Sequence, residues 1–330
     1  MRAFITGIPG FAGSFLAEEL LAHGYEVYGT HLPGENLHNL TAIADRIRIN
    51  PLDFNKPDII PNMLKCVKPD YIFHLAAQAS VGRSFKDPLE TYQANFCGTY
   101  YMLEAARKLK NLKGFLFVSS SDIYGVVKPK DLPLTEEHTL NPVSPYGVSK
   151  AAADMLCYQC YKNFGLPVVR VRSFNHSGPR QARGFVITDF ASQIVNLEHN
   201  GRRRNVIKVG DLSARRDISD VRDIVGGYRL ALEKGRPGEV YQLCSGQAVK
   251  IEALLKKLLR HSTVSIDIVI DKDLIRSTEV PVLRGDASKA ENKLGYKRSY
   301  SLDDTLKDCL EYYRSIQGGN SGRSSKKDKR

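Results

Sequence analysis

Tyr146 and Lys150 form the pattern with the clearest chemical meaning in this chain. A phenol can donate or accept a proton, and residues four apart share one helix face, so we expect the lysine charge to lower the phenol pKa. Two other tyrosines, Tyr124 and Tyr158, also precede a lysine by four positions, so the spacing alone is weak evidence. Tyr146 differs because it opens a predicted helix and follows a serine cluster at 119–121, where a predicted strand ends. The sequence therefore predicts an acid/base site at Tyr146.

A second pattern is the glycine-rich segment from Gly7 to Gly13, with a third glycine at Gly10. It lies between a predicted strand and a predicted helix. A dinucleotide pyrophosphate needs a tight turn, close approach of the backbone and free N–H groups at a helix start, and residues without a Cβ supply these. The segment therefore predicts a dinucleotide-binding loop.

Both patterns need a parallel sheet whose strand ends meet at one edge. The first half of the chain alternates short apolar runs with helical periodicity, which is typical of βαβ units. We predict strands at 2–6, 26–29, 46–50, 70–75, 114–119 and 167–172, and helices at 11–23, 88–110 and 145–164. The second half is less regular, with helices at 188–198, 221–232 and 251–260 and a strand at 239–243. The expected fold class is α/β, a Rossmann-type doubly wound parallel sheet with a smaller mixed α/β substrate domain.

Composition excludes several classes of protein. With 42% hydrophobic and 25% charged residues, the 330-residue chain has enough apolar side chains for a core and is not globally disordered. No stretch approaches the roughly 20 apolar residues of a membrane span, and no signal peptide precedes the first strand, so we expect a cytoplasmic protein without a membrane partner. Of the net charge of +12, residues 317–330 carry +4, from five basic residues and one acidic residue. The rest is spread along the chain, so we expect no nucleic-acid partner.

The cysteines do not indicate a disulfide-stabilised or metal-binding protein. The six cysteines show no disulfide-framework spacing. Cys157 and Cys160 form a lone Cys-x-x-Cys pair without further ligands nearby, so we interpret them as two thiols one helical turn apart and expect no metal site.

Taken together, these motifs resemble those of the extended short-chain dehydrogenase/reductases. The resemblance rests on the glycine loop, Asp53 after the third strand, the segment HLAA at 74–77, Asn95, and the serine, tyrosine and lysine set, and it covers residues 1–315. Within the family, the segments RSFNHSGP (172–179), GFVITDF (184–190), RDISDVRDI (216–224) and RSTEVP (276–281) are similar to the branch that acts on GDP-sugars.

The resemblance implies an activity. It is the reduction of the C4 ketone of a GDP-4-keto-6-deoxy-hexose by NAD(P)H, with the GDP-sugar as small-molecule partner. Tyr146 would be the acid/base at the C4 oxygen, Lys150 would lower its pKa and hold the cofactor ribose, and Ser120 would donate a hydrogen bond to the same oxygen. The resemblance also places Asp122 at the position where the GDP-mannose dehydratases of the family carry a glutamate.

The resemblance also implies the binding residues. Those for the cofactor are Gly7, Gly10, Phe11, Ala12, Gly13, Leu52, Asp53, Ala76, Ala77 and Asn95, together with Tyr146 and Lys150. Those for the substrate are Gln78, Asn175, Val186, Arg216, Arg276 and Glu279. Residues 28–32 lack the acid that NAD-selective members usually carry after the second strand, and no arginine follows before Arg46, so we expect NADP, with NAD possible.

Three other functions stay open. Asp122 is compatible with GDP-mannose 4,6-dehydration, a UDP-sugar 4-epimerase would share the same residues, and a nucleotide-binding interaction protein would use the fold without catalysis. The stretch 175–190 favours the reductase.

The resemblance also suggests how the chain is organised. We expect residues 1–175 to form the NAD(P)-binding domain, with 217–245 returning to it, residues 176–216 and 246–316 to form the sugar-nucleotide domain, and residues 317–330 to be a disordered basic tail. The family commonly forms homodimers through the helices at 88–110 and 145–164. Aromatic residues at three- and four-residue spacing on both helices support the same expectation.

Overall fold

The computed structural model describes residues 1–200, 205–275 and 280–324. The strands are β1 (Arg2–Thr6), β2 (Glu26–His31), β3 (Ile47–Pro51), β4 (Tyr71–His74), β5 (Gly114–Ser120), β6 (Val168–Ser173), β7 (Asn175–Ser177), β8 (Val206–Val209), β9 (Arg215–Asp220), β10 (Val240–Leu243), β11 (Ala248–Lys250), β12 (Asp267–Ile270) and β13 (Val282–Leu283). The α-helices are α1 (Phe11–Ala22), α2 (Ile60–Val67), α3 (Val81–Lys86), α4 (Pro88–Tyr92), α5 (Gly98–Ala106), α6 (Pro145–Phe164), α7 (Val186–Asn200), α8 (Val221–Lys234), α9 (Ile251–Arg260), α10 (Ser288–Leu294) and α11 (Leu302–Ser324).

A seven-stranded sheet in the order β10-β6-β5-β4-β1-β2-β3 organises the molecule. Every pairing in it is parallel. The order reverses beside β1, as in a doubly wound nucleotide-binding sheet, so the strand ends on either side of β1 open into a crevice. The predicted fold class is confirmed.

Successive residues of the strands point to opposite faces of the large sheet, and each face buries its own core. Ile5 and Leu116 belong to the core that also contains side chains of α1 and α8, whereas Phe4 and Phe115 belong to the core with α2, α5 and α6. Burial on both faces explains why the central strands β1, β4 and β5 are largely continuous apolar runs rather than alternating patterns.

A second region is built from short strands and three helices. β9 lies centrally, with β7 and β13 parallel to it and β11 antiparallel, and β8 pairs with β12 in a separate two-stranded sheet. Its core combines apolar faces of α7, α9 and α11. After β9 the chain returns to the large sheet at β10, which pairs with β6.

Two segments differ from the sequence expectation. The helix predicted over 88–110 is interrupted by a π-helical turn at Gln93–Cys97 between α4 and α5, which hydrophobic periodicity does not reveal. The segment 317–330 was expected to be disordered throughout, but α11 continues to Ser324, and residues 325–330 lie outside the described part of the chain.

Within the described ranges, no helix is long and apolar enough to cross a membrane. No three His, Cys, Asp or Glu side chains of those residues group so that they could hold a metal ion.

Candidate active site

A cleft of about 1530 Å³ opens where the carboxyl ends of the large sheet's strands face the second region. Most of the predicted site residues line it: Gly7, Gly10, Phe11, Ala12, Gly13, Leu52, Ala76, Ala77, Gln78, Ser120, Asp122, Tyr146, Lys150, Asn175, Val186 and Arg216. Asp53 and Asn95 are described but do not line it. Arg276 and Glu279 lie outside the described residues. The structure thus brings together residues that are far apart in the sequence.

The glycine loop has the shape that a pyrophosphate requires. Gly7 adopts a left-handed φ of +70°, and a Cβ there would lie 3.0 Å from the Ala76 Cα. A Cβ at Gly13 would lie 2.3 Å from the Gly7 carbonyl oxygen, so only glycine allows the turn to pack on the start of α1. Gly10 is the N-cap of α1, whose first turn contains no acidic residue. This cradle and the positive end of the helix fit the diphosphate of a dinucleotide.

Ser120 and Asp122 lie at the end of β5, in the floor of the cleft. The Ser120 Oγ accepts from the Asp122 N–H at 3.1 Å and donates to the Asp122 Oδ2 at 3.0 Å. This capped turn fixes the serine hydroxyl and the carboxylate beside each other. Both side chains therefore reach the cleft from one rigid strand end.

Tyr146 lies in the first turn of α6. The helix begins at Pro145, and the N-cap Ser144 Oγ accepts from the Gly147 N–H at 3.0 Å. The predicted lowering of the phenol pKa is wrong in direction. Burial, the main cause, raises the pKa of Tyr146, the negative charge of Asp122 raises it further, and a hydrogen bond from Ser120 opposes them. The phenol is therefore held as a proton donor at neutral pH.

Lys150 lies one turn further along α6 and is only 4% exposed. Its Nζ is 4.8 Å from the centre of the Phe117 ring. Burial lowers the pKa of Lys150 to about 8, although Asp154 and Cys157 act in the opposite direction. A cation held in an apolar wall is poised to bind a polar ligand group that replaces its lost hydration.

Buried ion pairs fasten α6 to the large sheet. The Asp154 carboxylate, itself 0% exposed, receives the Arg170 guanidinium at 2.8 Å and the Arg172 guanidinium at 3.2 Å. Arg172 also donates to the Tyr124 hydroxyl and to the Glu136 carbonyl. Asp154 is one helical turn beyond Lys150. These ion pairs therefore fix the distance of α6, and with it of Tyr146 and Lys150, from β6.

Two predicted binding residues, Asn95 and Gln78, are hydrogen-bonded to each other in the cleft wall. The Asn95 Oδ1 accepts from the Gln78 N–H at 2.7 Å, and the Asn95 Nδ2 donates to the Gln78 carbonyl at 3.1 Å. The Gln78 Oε1 accepts from the Ser80 N–H at 2.6 Å, and its amide Nε2 donates to the Ser80 carbonyl and the Thr91 hydroxyl. Asn95 therefore braces the loop from behind.

The second region contributes the other wall of the cleft. Asn175 lies on β7, Val186 opens α7, and Arg216 lies on β9 with its Nη1 donating to the Arg215 carbonyl at 3.0 Å. Next to Arg216, the buried Asp217 accepts three backbone N–H groups, from Ser245, Gly246 and Gly285. Asp217 thus locks the strand that carries the arginine.

The sequence did not predict one pair of hydroxyl groups in the cleft, those of Ser173 and Tyr228. Tyr228 on α8 is fully buried, and its hydroxyl lies 2.9 Å from the Ser173 Oγ at the end of β6. Ser173 is paired directly with Ser120 across β5 and β6. Because 55 residues separate Ser173 from Tyr228, no local motif indicates the pair.

The sequence analysis also did not predict two cleft residues that lie at the end of β2 and just after it. His31 and Glu35 line the cleft there. The Glu35 Oε2 accepts from the Leu32 N–H at 2.9 Å across a turn at Pro33 and Gly34. The Pro-Gly pair was the available signal, because it predicts a turn that brings the next residue back to the end of the strand.

Comparison with known proteins agrees with this arrangement. Residues 4–309 match the family described as GDP-mannose 4,6 dehydratase. A GDP-6-deoxy-D-mannose reductase of Pseudomonas aeruginosa is 35% identical over 315 residues, which cover 95% of this chain and 97% of the relative. A GDP-mannose 4,6 dehydratase of Cricetulus griseus is 27% identical over 94% of this chain and 90% of its own length. The solved structure of RMD from Pseudomonas aeruginosa complexed with NADPH has 34% identity and a TM-score of 0.81, covering 96% of this chain and 99% of that one.

Proposed function

Because the chain belongs to the GDP-mannose 4,6-dehydratase family, we propose that it is a reductase that converts GDP-4-dehydro-6-deoxy-D-mannose, or a similar GDP-4-keto-6-deoxy-hexose, to the GDP-D-rhamnose type of product with NAD(P)H. The observation that carries this proposal is the similarity to a GDP-6-deoxy-D-mannose reductase, which is 35% identical over 95% of this chain. The set of Ser120, Tyr146 and Lys150 in one cleft supports it.

The proposed mechanism uses Tyr146 as the acid. When bound, the nicotinamide supplies a hydride to the C4 carbonyl carbon of the sugar. The carbonyl oxygen gains the negative charge, and Tyr146 donates the phenolic proton to it. The Ser120 hydroxyl, which donates to Asp122 in the free protein, would turn to donate a hydrogen bond to the same oxygen. The pKa of Tyr146 lies above neutral pH, so the phenol carries its proton before the hydride arrives. The buried ammonium of Lys150, one helical turn after Tyr146, stabilises the negative charge of the tyrosinate that forms when the proton leaves.

The cofactor-binding residues keep the roles that the resemblance implies. The pyrophosphate would be held by the glycine loop, with Gly7, Gly10, Phe11, Ala12 and Gly13. The adenine would be bound by Leu52 and Asp53. The loop over the nicotinamide end would be formed by Ala76 and Ala77. Asn95 would act through the backbone of Gln78. For the sugar nucleotide, the Arg216 guanidinium, together with Arg276, would pair with the diphosphate, and Asn175, Val186, Gln78 and Glu279 would contact the remainder.

NADPH is the proposed cofactor, and NADH is the second candidate. The solved relative with NADPH supports the former. The position of Glu35 at the end of β2 favours the latter, because a carboxylate accepts from a ribose 2′-hydroxyl and repels a 2′-phosphate. Glu35→Gln should therefore raise the ratio of kcat/KM with NADPH to that with NADH by about tenfold, the size of a close charge repulsion near the surface. An unchanged ratio would place Glu35 away from the ribose.

The main test is incubation of the purified protein with GDP-4-dehydro-6-deoxy-D-mannose and NADPH or NADH. One nicotinamide should be oxidised for each ketone reduced, and the product should co-elute with GDP-D-rhamnose. No loss of nicotinamide absorbance with either cofactor would contradict the proposal. UDP- and dTDP-sugar ketones serve as controls for the nucleotide.

Dehydration of GDP-mannose is the alternative, because Asp122 stands beside Ser120 where it can take a proton. That reaction regenerates its cofactor, so GDP-mannose alone should give a 4-keto product without added reductant. A UDP-sugar 4-epimerase would interconvert UDP-sugars without net redox change. An interaction protein would bind nucleotides without any turnover.

The helix that carries Tyr146 and Lys150, α6, is proposed to form a homodimer interface together with α4 and α5. Side chains on the outer faces of α4, α5 and α6 are exposed: Leu89, Tyr92, Tyr100, Met155 and Tyr158. Their burial against a two-fold-related copy would form a four-helix bundle. Light scattering at micromolar concentration should give twice the chain mass, and Met155→Asp, which puts two carboxylates into one isologous interface, should give the single mass. A single mass for the wild type would contradict the dimer.

The proposed compartment is the cytosol. All six cysteines are free thiols, and four of them are buried. Unpaired thiols are typical of a reducing compartment. Fractionation of cells that express the tagged protein would test this.

A further inference from the structure

Five buried polar side chains link the cofactor loop to the helix that carries Tyr146. They are each no more than 2% exposed and are called the buried network below: Thr6, His74, Thr99, Asn95 and Ser149. Thr6 is the last residue of β1, directly before Gly7, and His74 is the last residue of neighbouring β4. Ser149 lies on α6 between Tyr146 and Lys150.

The first half of the network allows one placement of its protons. The Thr6 Oγ1 accepts from the Leu75 and Ala76 N–H groups, both at 3.1 Å, so its own proton goes to the His74 Nδ1 at 2.8 Å. The Thr99 Oγ1 donates to the Asn95 carbonyl at 2.6 Å, so it must accept from the His74 Nε2–H at 3.1 Å. His74 is therefore neutral and carries its proton on Nε2. Burial lowers its pKa to about 3, which agrees with a neutral ring.

The second half of the network continues from Asn95 to the active-site helix. The Asn95 Nδ2 donates to the Ser149 Oγ at 2.9 Å, and the Ser149 Oγ donates to the Tyr146 carbonyl at 2.7 Å. Asn95 itself lies in the π-helical turn at 93–97, an irregularity often found at functional sites. The two halves meet at Asn95, whose backbone carbonyl accepts from Thr99 and whose side-chain amide donates to Ser149. Through this residue the network connects the end of β1 to the backbone of the proton donor.

From this geometry we infer that His74 and Thr99 are positioning residues for the reduction, fixing the height of Tyr146 relative to the cofactor loop. The inference rests on the proposed function. Every donor in the network has its acceptor, and each group is shielded from water, so removing one hydroxyl orphans a buried N–H and leaves the strand ends and α6 free to shift. A small displacement of a reacting group costs much rate, because transfer requires close alignment.

Thr99 offers the cleanest test. Thr99→Val keeps the shape and removes both hydrogen bonds of the hydroxyl, whereas Thr99→Ser keeps them. Thr305→Val is the matched control, because the Thr305 hydroxyl is equally buried and lies outside the cleft. Its one proton is shared between the Asp220 carboxylate at 2.8 Å and the Ser301 carbonyl at 3.0 Å. The measurements are kcat, KM, NADPH affinity by fluorescence titration, and Tm.

Thr99→Val should lower kcat by about 10- to 100-fold, with KM and NADPH affinity changed less than about threefold, and Thr99→Ser should restore kcat. Thr305→Val should lower Tm about as much as Thr99→Val does, but it should leave kcat unchanged. If Thr99→Val loses stability but keeps its kcat, the network is only structural and the inference is wrong.

A second measurement is independent of the substrate. In protein labelled with 3-fluorotyrosine, the ¹⁹F signal of Tyr146 is assigned from its loss in Tyr146→Phe. The signal should shift in Thr99→Val and stay in place in Thr99→Ser and Thr305→Val. If the wild type fails to reduce the ketone but the signal shifts as described, the proposed function is wrong and the network still positions Tyr146. An unmoved signal overturns the inference itself.

Discussion

The pH dependence of turnover should follow Lys150 rather than Tyr146. Burial lowers the pKa of Lys150 from 10.5 to about 8, whereas the pKa of Tyr146 is raised. Above pH 8 the ammonium that stabilises the developing tyrosinate therefore loses its proton while the phenol keeps its own. The charged fraction of Lys150 falls about tenfold for each pH unit beyond its pKa, so kcat/KM should fall with the same slope.

The assay is initial-rate reduction of the GDP-ketosugar between pH 6 and 10, for the wild type and for Lys150→Met. The wild type should show a plateau that bends down near pH 8. Lys150→Met should be slower at pH 7 and should lack that bend. A wild-type plateau that extends to pH 10, or a bend near pH 8 that survives in Lys150→Met, would refute the assignment of this ionisation to Lys150.

The same ionisation should appear in the free energy of unfolding. The unfolded lysine keeps the ordinary pKa of 10.5, so between pH 8 and 10.5 the unfolded chain binds more protons than the folded one, and stability rises with pH. A shift of this size corresponds to about 3 kcal/mol. Urea titrations should show the stability advantage of Lys150→Met over the wild type shrinking by about that amount from pH 7.5 to pH 10.5. An advantage that is equal at both pH values would contradict the lowered pKa.

Three substitutions test other parts of the site. Tyr146→Phe should lower turnover by about 10²-fold or more while NADPH still binds, as fluorescence titration would show; near wild-type activity would direct attention to another tyrosine. Gly13→Ala should abolish measurable NADPH binding, because its Cβ would meet a backbone oxygen at 2.3 Å, whereas Gly226→Ala, with its nearest neighbour at 3.9 Å, should bind normally. Asp154→Asn should lower the free energy of unfolding by about 3–5 kcal/mol in urea titrations, because its two buried arginine partners lose their counter-charge; a loss below about 1 kcal/mol would contradict the importance of these ion pairs.

The large sheet was predictable because its central strands are buried on both faces and are separated by helices. The central strands β1, β4 and β5 therefore show local apolar runs, whereas the edge strand β3 alternates isoleucine with polar residues. The second region was not predictable in the same way. β7, β11 and β13 have only two or three residues each, and what holds them is remote pairing with β9 and the hydrogen bonds of Asp217. The π-helical turn depends on the tertiary contacts of Asn95, so helical periodicity does not reveal it.

The site was predictable where its residues are neighbours in sequence, as in the glycine loop and the first turn of α6. The direction of the Tyr146 pKa was not, because burial and the placement of Asp122 exist only in the folded chain. Ser173 and Tyr228 meet only through the packing of α8 on β6. His74 belongs to the HLAA segment at 74–77, but its hydrogen-bond partners lie on β1 and α5, and the segment itself does not predict them.

The late return of β10 to the large sheet has a consequence for synthesis of the chain. During translation β6 emerges well before β10, and α7, β8, β9 and α8 are made in between. Until Leu243 has left the ribosome, β6 is an open edge whose backbone groups have no neighbouring strand on that side. An unpaired edge of a buried parallel sheet is prone to pair with other chains. Nascent chains stalled or truncated between residues 174 and 239 should therefore be the most aggregation-prone products, more so than chains that lack only the residues after 317.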